Sequence, residues 1–63
     1  MTVKIHIYSQ EVAGDIWYTS DLGEGHGLSH WHSRSEKSAA EVEKRAREVA
    51  AENGLEVSQV VYH

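Results

Sequence analysis

One segment of the chain carries a clear helical pattern, and it limits the fold more than any other feature. Its apolar residues recur at helical spacing and form one narrow stripe of small side chains: Ala39, Val42, Ala46, Val49 and Ala50. Ser38 and Glu41 match a capping box at its start, and Asn53–Gly54 is typical of a helix end. Such small residues let the helix lie close against a sheet formed by the rest of the chain.

Charged residues on the same segment support the helix. Glu41 with Arg45 and Glu43 with Arg47 are i,i+4 pairs in the favourable order, each worth about 0.2–0.5 kcal/mol. Ser35 is an alternative cap, one turn before Ser38. The acidic residues of the segment are typical of a solvated helix face, and an acidic strip for a basic partner is the alternative interpretation.

Four segments have the patterns of β-strands. The first alternates with period two, as a half-buried strand does: Val3, Ile5 and Ile7 against Lys4, His6 and Tyr8. Ile16–Ser20 is rich in aromatic and β-branched residues, and the turn sequence SQEVAGD before it predicts an antiparallel hairpin. Leu28–Ser33 alternates again, and Val57–Tyr62 is the last strand.

The order of these elements predicts a fold. We expect one α+β domain over residues 1–63 with the order β-β-β-α-β. Each hairpin reverses the chain and the helix returns it, so the fourth strand runs parallel to the first, through a right-handed crossover. The sequence therefore predicts a four-stranded mixed sheet in the order 3-2-1-4, with the helix packed on one face.

Alternation assigns the strand residues to two faces. Val3, Ile5, Ile7, Ile16, Tyr18 and Trp31 are expected to face the helix. The other side, called the open face below, is expected to carry Lys4, His6, Tyr8, Trp17, Thr19, His30 and His32. The last strand has apolar residues at both odd and even positions, which suggests that both faces of the sheet are partly covered. Uncovered apolar patches mark interaction sites, although Tyr8 and Trp17 pairing across the hairpin is an alternative.

The histidines raise the question of a metal site. His30 and His32 are two apart on a predicted strand and point the same way, and imidazole suits zinc, copper or nickel. A metal site would consist of His30, His32 and His26, with His6 or Glu24 as other sources of a third ligand. Solvated histidines and a pH-responsive interface are the alternatives. The neighbouring GEGHG segment predicts a flexible turn rather than a phosphate loop, because a strand follows it and not a helix.

Composition excludes several classes of function. The 63 residues have a net charge of −4, which argues against a nucleic-acid surface and favours a basic protein partner. Cysteine is absent, which excludes disulfides and thiolate metal sites. The chain lacks a catalytic signature, a membrane-length apolar run and a signal-peptide pattern, so we expect a cytoplasmic protein that is not an enzyme and needs no cofactor.

One short motif resembles a known family. The second predicted strand ends in Tyr18-Thr-Ser-Asp21-Leu22, and glycines, a short strand, a serine-initiated helix and a last strand follow. This arrangement resembles the HicB-like antitoxin domain, whose usual loop reads Asp-Leu-Pro-Gly; here Gly23 stands at the proline position. The resemblance implies a partly degraded ribonuclease-H-like fold that covers a small, basic, RNA-cleaving toxin. Family members commonly add a DNA-binding segment, which puts repression of a promoter by these 63 residues in doubt.

These observations lead to an expected function. We expect a small protein-interaction module, antitoxin-like or an accessory protein of a bacterium or phage, that forms a homodimer. Its contact surface would be the open face, with Tyr8, Trp17, His30, His32 and His6 as binding residues. A histidine-based metal-binding protein and a nucleic-acid-binding protein that stacks bases on Tyr8 and Trp17 are the alternatives.

Overall fold

The predicted order of elements is confirmed by the structure, a computed structural model that describes residues 1–23 and 31–63. The elements are β1 (Thr2–Val12), β2 (Asp15–Gly23), β3 (Trp31–His32), α1 (Ala39–Glu52) and β4 (Glu56–Tyr62). They form an α+β fold whose four-stranded sheet has the order β3-β2-β1-β4. β1 is antiparallel to β2 and parallel to β4, and β2 is antiparallel to β3.

The core lies between α1 and one face of the sheet. It is formed by the apolar stripe of α1, the alternating apolar residues of β1 and one residue of β2. Its buried apolar residues are Val3, Ile5, Ile7, Leu22, Val42, Ala46, Val49 and Ala50. Tyr18 and Trp31 pack against this core, as predicted. Ile16 has the predicted parity but remains 50% exposed, because it lies on the hairpin beyond this core.

The ends of α1 follow the capping signals. The Ser38 hydroxyl accepts a hydrogen bond from the Glu41 amide at 3.4 Å. At the other end Gly54 has a φ of +69°, and its amide donates to Ala51 O while the Leu55 amide donates to Ala50 O. This pair of bonds is the Schellman motif, which needs a left-handed residue and so favours glycine. No helix within residues 1–23 or 31–63 is long and apolar enough to span a membrane.

Two details of local structure differ from the sequence prediction. The hairpin turn contains only Ala13 and Gly14, both with positive φ, so β1 and β2 extend through residues that were expected to form a longer turn. On α1, Arg47 binds Glu43 at 3.0 Å as predicted, whereas Arg45 lies 3.7 Å from Glu48 instead of pairing with Glu41. The exchange of ion-pair partner costs little energy, because exposed ion pairs are weak.

A β-bulge in β4 determines which of its residues reach the core. The pairing with β1 shifts between Val3 and Lys4, so that Val57 pairs with Val3 and Val60 pairs with Ile5. Val57 and Val60 therefore lie on the same face although they are three residues apart. The two parities of apolar residues in β4 thus come largely from the bulge rather than from two covered faces.

Tyr62 lies on the core side of β4 and contacts the helix. Its hydroxyl donates a hydrogen bond to the Glu43 carboxylate at 3.0 Å. The Arg47 side chain and this hydroxyl both hydrogen-bond to Glu43 and hold the pKa of its carboxyl below the usual value. The same contact with Glu43 raises the pKa of Tyr62. This surface contact joins the end of β4 to the middle of α1.

Candidate functional site

The open face is the side of the sheet that α1 does not cover. Register places Tyr8 opposite Thr19 and His6 opposite Asp21, and directly opposed residues of an antiparallel pair share a face. Trp17 shares that face by alternation along β2. No described helix or strand packs on this side, and Tyr8 is 40% exposed. The structure thus brings His6, Tyr8 and Trp17 onto one uncovered surface.

Three rings form a cluster on the open face. The Tyr8 and His63 rings are nearly parallel, with centroids 4.5 Å apart and an interplanar angle of 7°. His6 Nδ1 lies 2.9 Å from His63 Nε2, a hydrogen-bond distance whose donor depends on the tautomers. The centroids of the two imidazoles are 5.1 Å apart. We call His6, Tyr8 and His63 the ring cluster.

Sequence reasoning missed His63 as a member of this cluster. Its position depends on the bulge in β4, which sets Val61 beside His6 and so carries His63 to the open face as well. The His63 amide also donates a hydrogen bond to Ile7 O at 2.9 Å, which holds the residue next to β1. Alternation places His63 on the same face as Val61, but which face that is depends on the bulge.

Trp17 lies apart from the ring cluster and has partners of its own. The Lys37 ammonium is 5.2 Å from the centroid of the Trp17 ring, within the range of a cation–π contact. Lys37 Nζ also lies 3.6 Å from Asp15 Oδ1. Tyr8 stacks on His63, and its direct partner across the hairpin is Thr19 rather than Trp17. Trp17 therefore forms a second, half-buried contact point on the same face.

The predicted metal ligands are only partly described. His32 is exposed on the open face, directly opposite Asp21 in the β2–β3 pairing. His26 and His30 lie outside the described residues, as does Glu24, so the metal site predicted from them stays a prediction. Within residues 1–23 and 31–63, no group of three or more histidine or acidic side chains is placed to hold a metal ion.

Two serines that offer hydroxyl groups are tied into the core instead. Ser20 is fully buried, and its hydroxyl donates to Val42 O at 2.8 Å. The Ser33 hydroxyl accepts from the Ser20 amide and donates to Arg34 O, at 2.9 Å in both bonds. Because both hydroxyls are buried and engaged with the backbone, their role is to join β2 to its neighbours.

A groove of about 470 Å³ lies between β3 and α1. Trp31 lines this groove together with charged side chains of both signs, including Arg34, Glu41, Arg45 and Glu48. Opposite charges of comparable number give the groove no strong preference for an anionic or a cationic ligand. The open face is therefore the better candidate for a functional surface.

Comparisons with protein-family models, with curated proteins and with solved structures found no match. Function must therefore be argued from the geometry of the chain itself.

Proposed function

We propose that this protein is a small non-enzymatic interaction module that binds another protein through the open face and acts in the cytoplasm. The observation that supports this proposal is the composition of that face. It carries a stacked ring cluster and a half-buried tryptophan, and no described element covers it. Aromatic residues are enriched at protein interfaces, where they supply much of the binding energy.

The hairpin extends this surface beyond the helix. β1 and β2 remain paired out to Val12 and Asp15, whereas the buried part of β1 ends at Ile7. Val12 is 48% exposed and shares the parity of Tyr8, so it continues the open face toward the tip of the hairpin. A partner that lies along β1 would contact the ring cluster, Trp17 and Val12 together.

The charges of the open face favour a second copy of this chain as the partner. Among the described residues, this face carries charges of both signs: Lys4 and Lys37 against Asp15, Asp21 and Glu56. A face with charges of both signs repels its own copy less than a strongly acidic face does. We therefore propose a homodimer formed through the open face.

The resemblance to the HicB-like antitoxin domain supports a finer proposal. A protein of that kind, in a bacterium or phage, would bind a small basic RNA-cleaving toxin, and the net charge of −4 suits a basic partner. Mixing the chain with a small basic ribonuclease encoded beside it would test this assignment.

Sedimentation velocity over a range of protein concentrations tests the homodimer. We expect the wild-type chain to dimerise and Tyr8→Ser and Trp17→Gln to weaken the dimer at least tenfold. Tyr62→Ser and Ile16→Gln are matched controls, because these residues are exposed but lie on the helix side of the sheet. Both controls should dimerise as the wild type does.

Two results would contradict the proposal. A strict monomer at millimolar concentration would exclude the homodimer. A dimer weakened equally by the open-face variants and by their controls would place the contact elsewhere. Circular dichroism of each variant shows whether its fold is intact, so that loss of the dimer is not mistaken for unfolding.

A further inference from the structure

The His6–His63 pair has a second chemical capacity besides its hydrogen bond. We propose that it is a bidentate site for a divalent transition-metal ion of the zinc class, with water in the remaining coordination positions. The ligating atoms are His6 Nδ1 and His63 Nε2, which lie 2.9 Å apart. This site uses His63 and does not include His26, His30 or His32. It goes beyond the proposed interaction function and does not depend on it.

The geometry of the pair is close to that of a metal chelate. Two imidazole nitrogens bound to one tetrahedral ion at about 2.05 Å lie about 3.3 Å from each other, and their ring centroids lie about 5.2 Å apart. The observed centroid distance is 5.1 Å. Rotation of both rings toward a common point, which separates the nitrogens by about 0.4 Å, converts the hydrogen bond into a binding site.

The surroundings hold both rings in place before an ion arrives. His6 lies in β1, which pairs with β2 on one side and β4 on the other. The His63 amide donates a hydrogen bond to Ile7 O. The Tyr8 ring lies flat against the His63 ring. Ligands fixed in advance lose little conformational entropy on binding, which raises affinity.

The donor set predicts which ions bind. Imidazole nitrogen suits Zn²⁺, Ni²⁺ and Cu²⁺, with Cu²⁺ the tightest by the general order of divalent affinities. Mg²⁺ prefers oxygen ligands and should not bind. Both facing nitrogens must be free of protons, because a metal ion and a proton compete for the same lone pair.

Calorimetric titration of the tag-free chain with zinc chloride tests the site. We expect one Zn²⁺ per chain and at least tenfold weaker binding for His63→Ala and for His6→Ala. His32→Ala is the matched control, because His32 is exposed on the same face but outside the pair. Its zinc affinity should equal that of the wild type. In nitrogen-detected NMR, the His6 and His63 imidazoles should shift on addition of zinc.

The outcomes separate this site from the one predicted from sequence. Unchanged zinc binding in folded His63→Ala would overturn the proposal. Loss of binding in His32→Ala, with His63→Ala unaffected, would assign the ion to the His26, His30 and His32 set and would also overturn it. If His6→Ala fails to fold, the zinc affinity of His63→Ala tests the proposal by itself. His63 is exposed, so its substitution leaves the core intact.

Discussion

At the scale of single residues, two serines show how polar groups are accommodated in a small core. The Ser20 amide donates to the Ser33 hydroxyl, and the Ser20 hydroxyl donates to a helix carbonyl. A buried amide without a partner costs about 1–3 kcal/mol, whereas an ordinary hydrogen bond contributes about 1 kcal/mol. The two serines are therefore expected to differ in importance, although both are buried.

We predict that Ser33→Ala destabilises the fold more than Ser20→Ala does. The first substitution removes the acceptor of the buried Ser20 amide and should lower the free energy of unfolding by about 1–3 kcal/mol. The second leaves the Val42 carbonyl in its helical hydrogen bond and should cost about 1 kcal/mol. Urea unfolding followed by tryptophan fluorescence measures both, and the reverse order would show that Ser33 does not satisfy that amide.

At the scale of elements, the β1–β2 hairpin is closed by a turn with one unfavourable residue. Ala13 has a φ of +52° and Gly14 a φ of +86°. Two positive φ values match the type I′ turn, which fits the twist of a hairpin and prefers Asn-Gly. Alanine in the left-handed region costs about 1 kcal/mol, so this turn retains some strain.

Ala13→Asn is predicted to stabilise the hairpin by about 0.5–1 kcal/mol, because asparagine tolerates the left-handed conformation. Hydrogen exchange of the amides in Ser9–Trp17 should slow in this variant. Ala13→Val serves as the opposite control, since a β-branched residue is strongly disfavoured at positive φ and should speed exchange. Faster exchange in Ala13→Asn would contradict the assigned turn.

At the scale of the whole molecule, one helix on one sheet face must supply nearly all of the buried apolar surface. The small side chains of α1 make this possible by bringing its backbone close to β1 and β2. Ala46 and Val42 are fully buried in that contact. A domain of this size buries only about 60% of its unfolded surface, so the fit between helix and sheet decides its stability.

Ala46→Leu should therefore destabilise the protein by about 1–3 kcal/mol, because the added volume pushes the helix away from the sheet. Ala40→Leu is the matched control: Ala40 is exposed on the same helix, and its substitution should change stability by less than about 0.5 kcal/mol. Thermal unfolding monitored by circular dichroism compares the two. Equal melting temperatures would contradict close packing at Ala46.

Local patterns were sufficient to predict most of the fold. Period-two alternation at Val3–Tyr8, the capping signals at Ser38 and Asn53–Gly54, and the helical stripe each report on the residues beside them. Chain reversal at each hairpin then fixed strand directions and the sheet order. These features are local in sequence or follow from short connections, and that is why they could be predicted.

The site depended on tertiary structure to a greater degree. The sequence by itself determined that His6 and Tyr8 share a face away from the helix, since alternation along one strand settles it. Only the tertiary structure brought His63 to them, across 57 positions of sequence. The physical reason is the bulge in β4, which shifts the pairing with β1 by one residue and so decides which side chains reach each face.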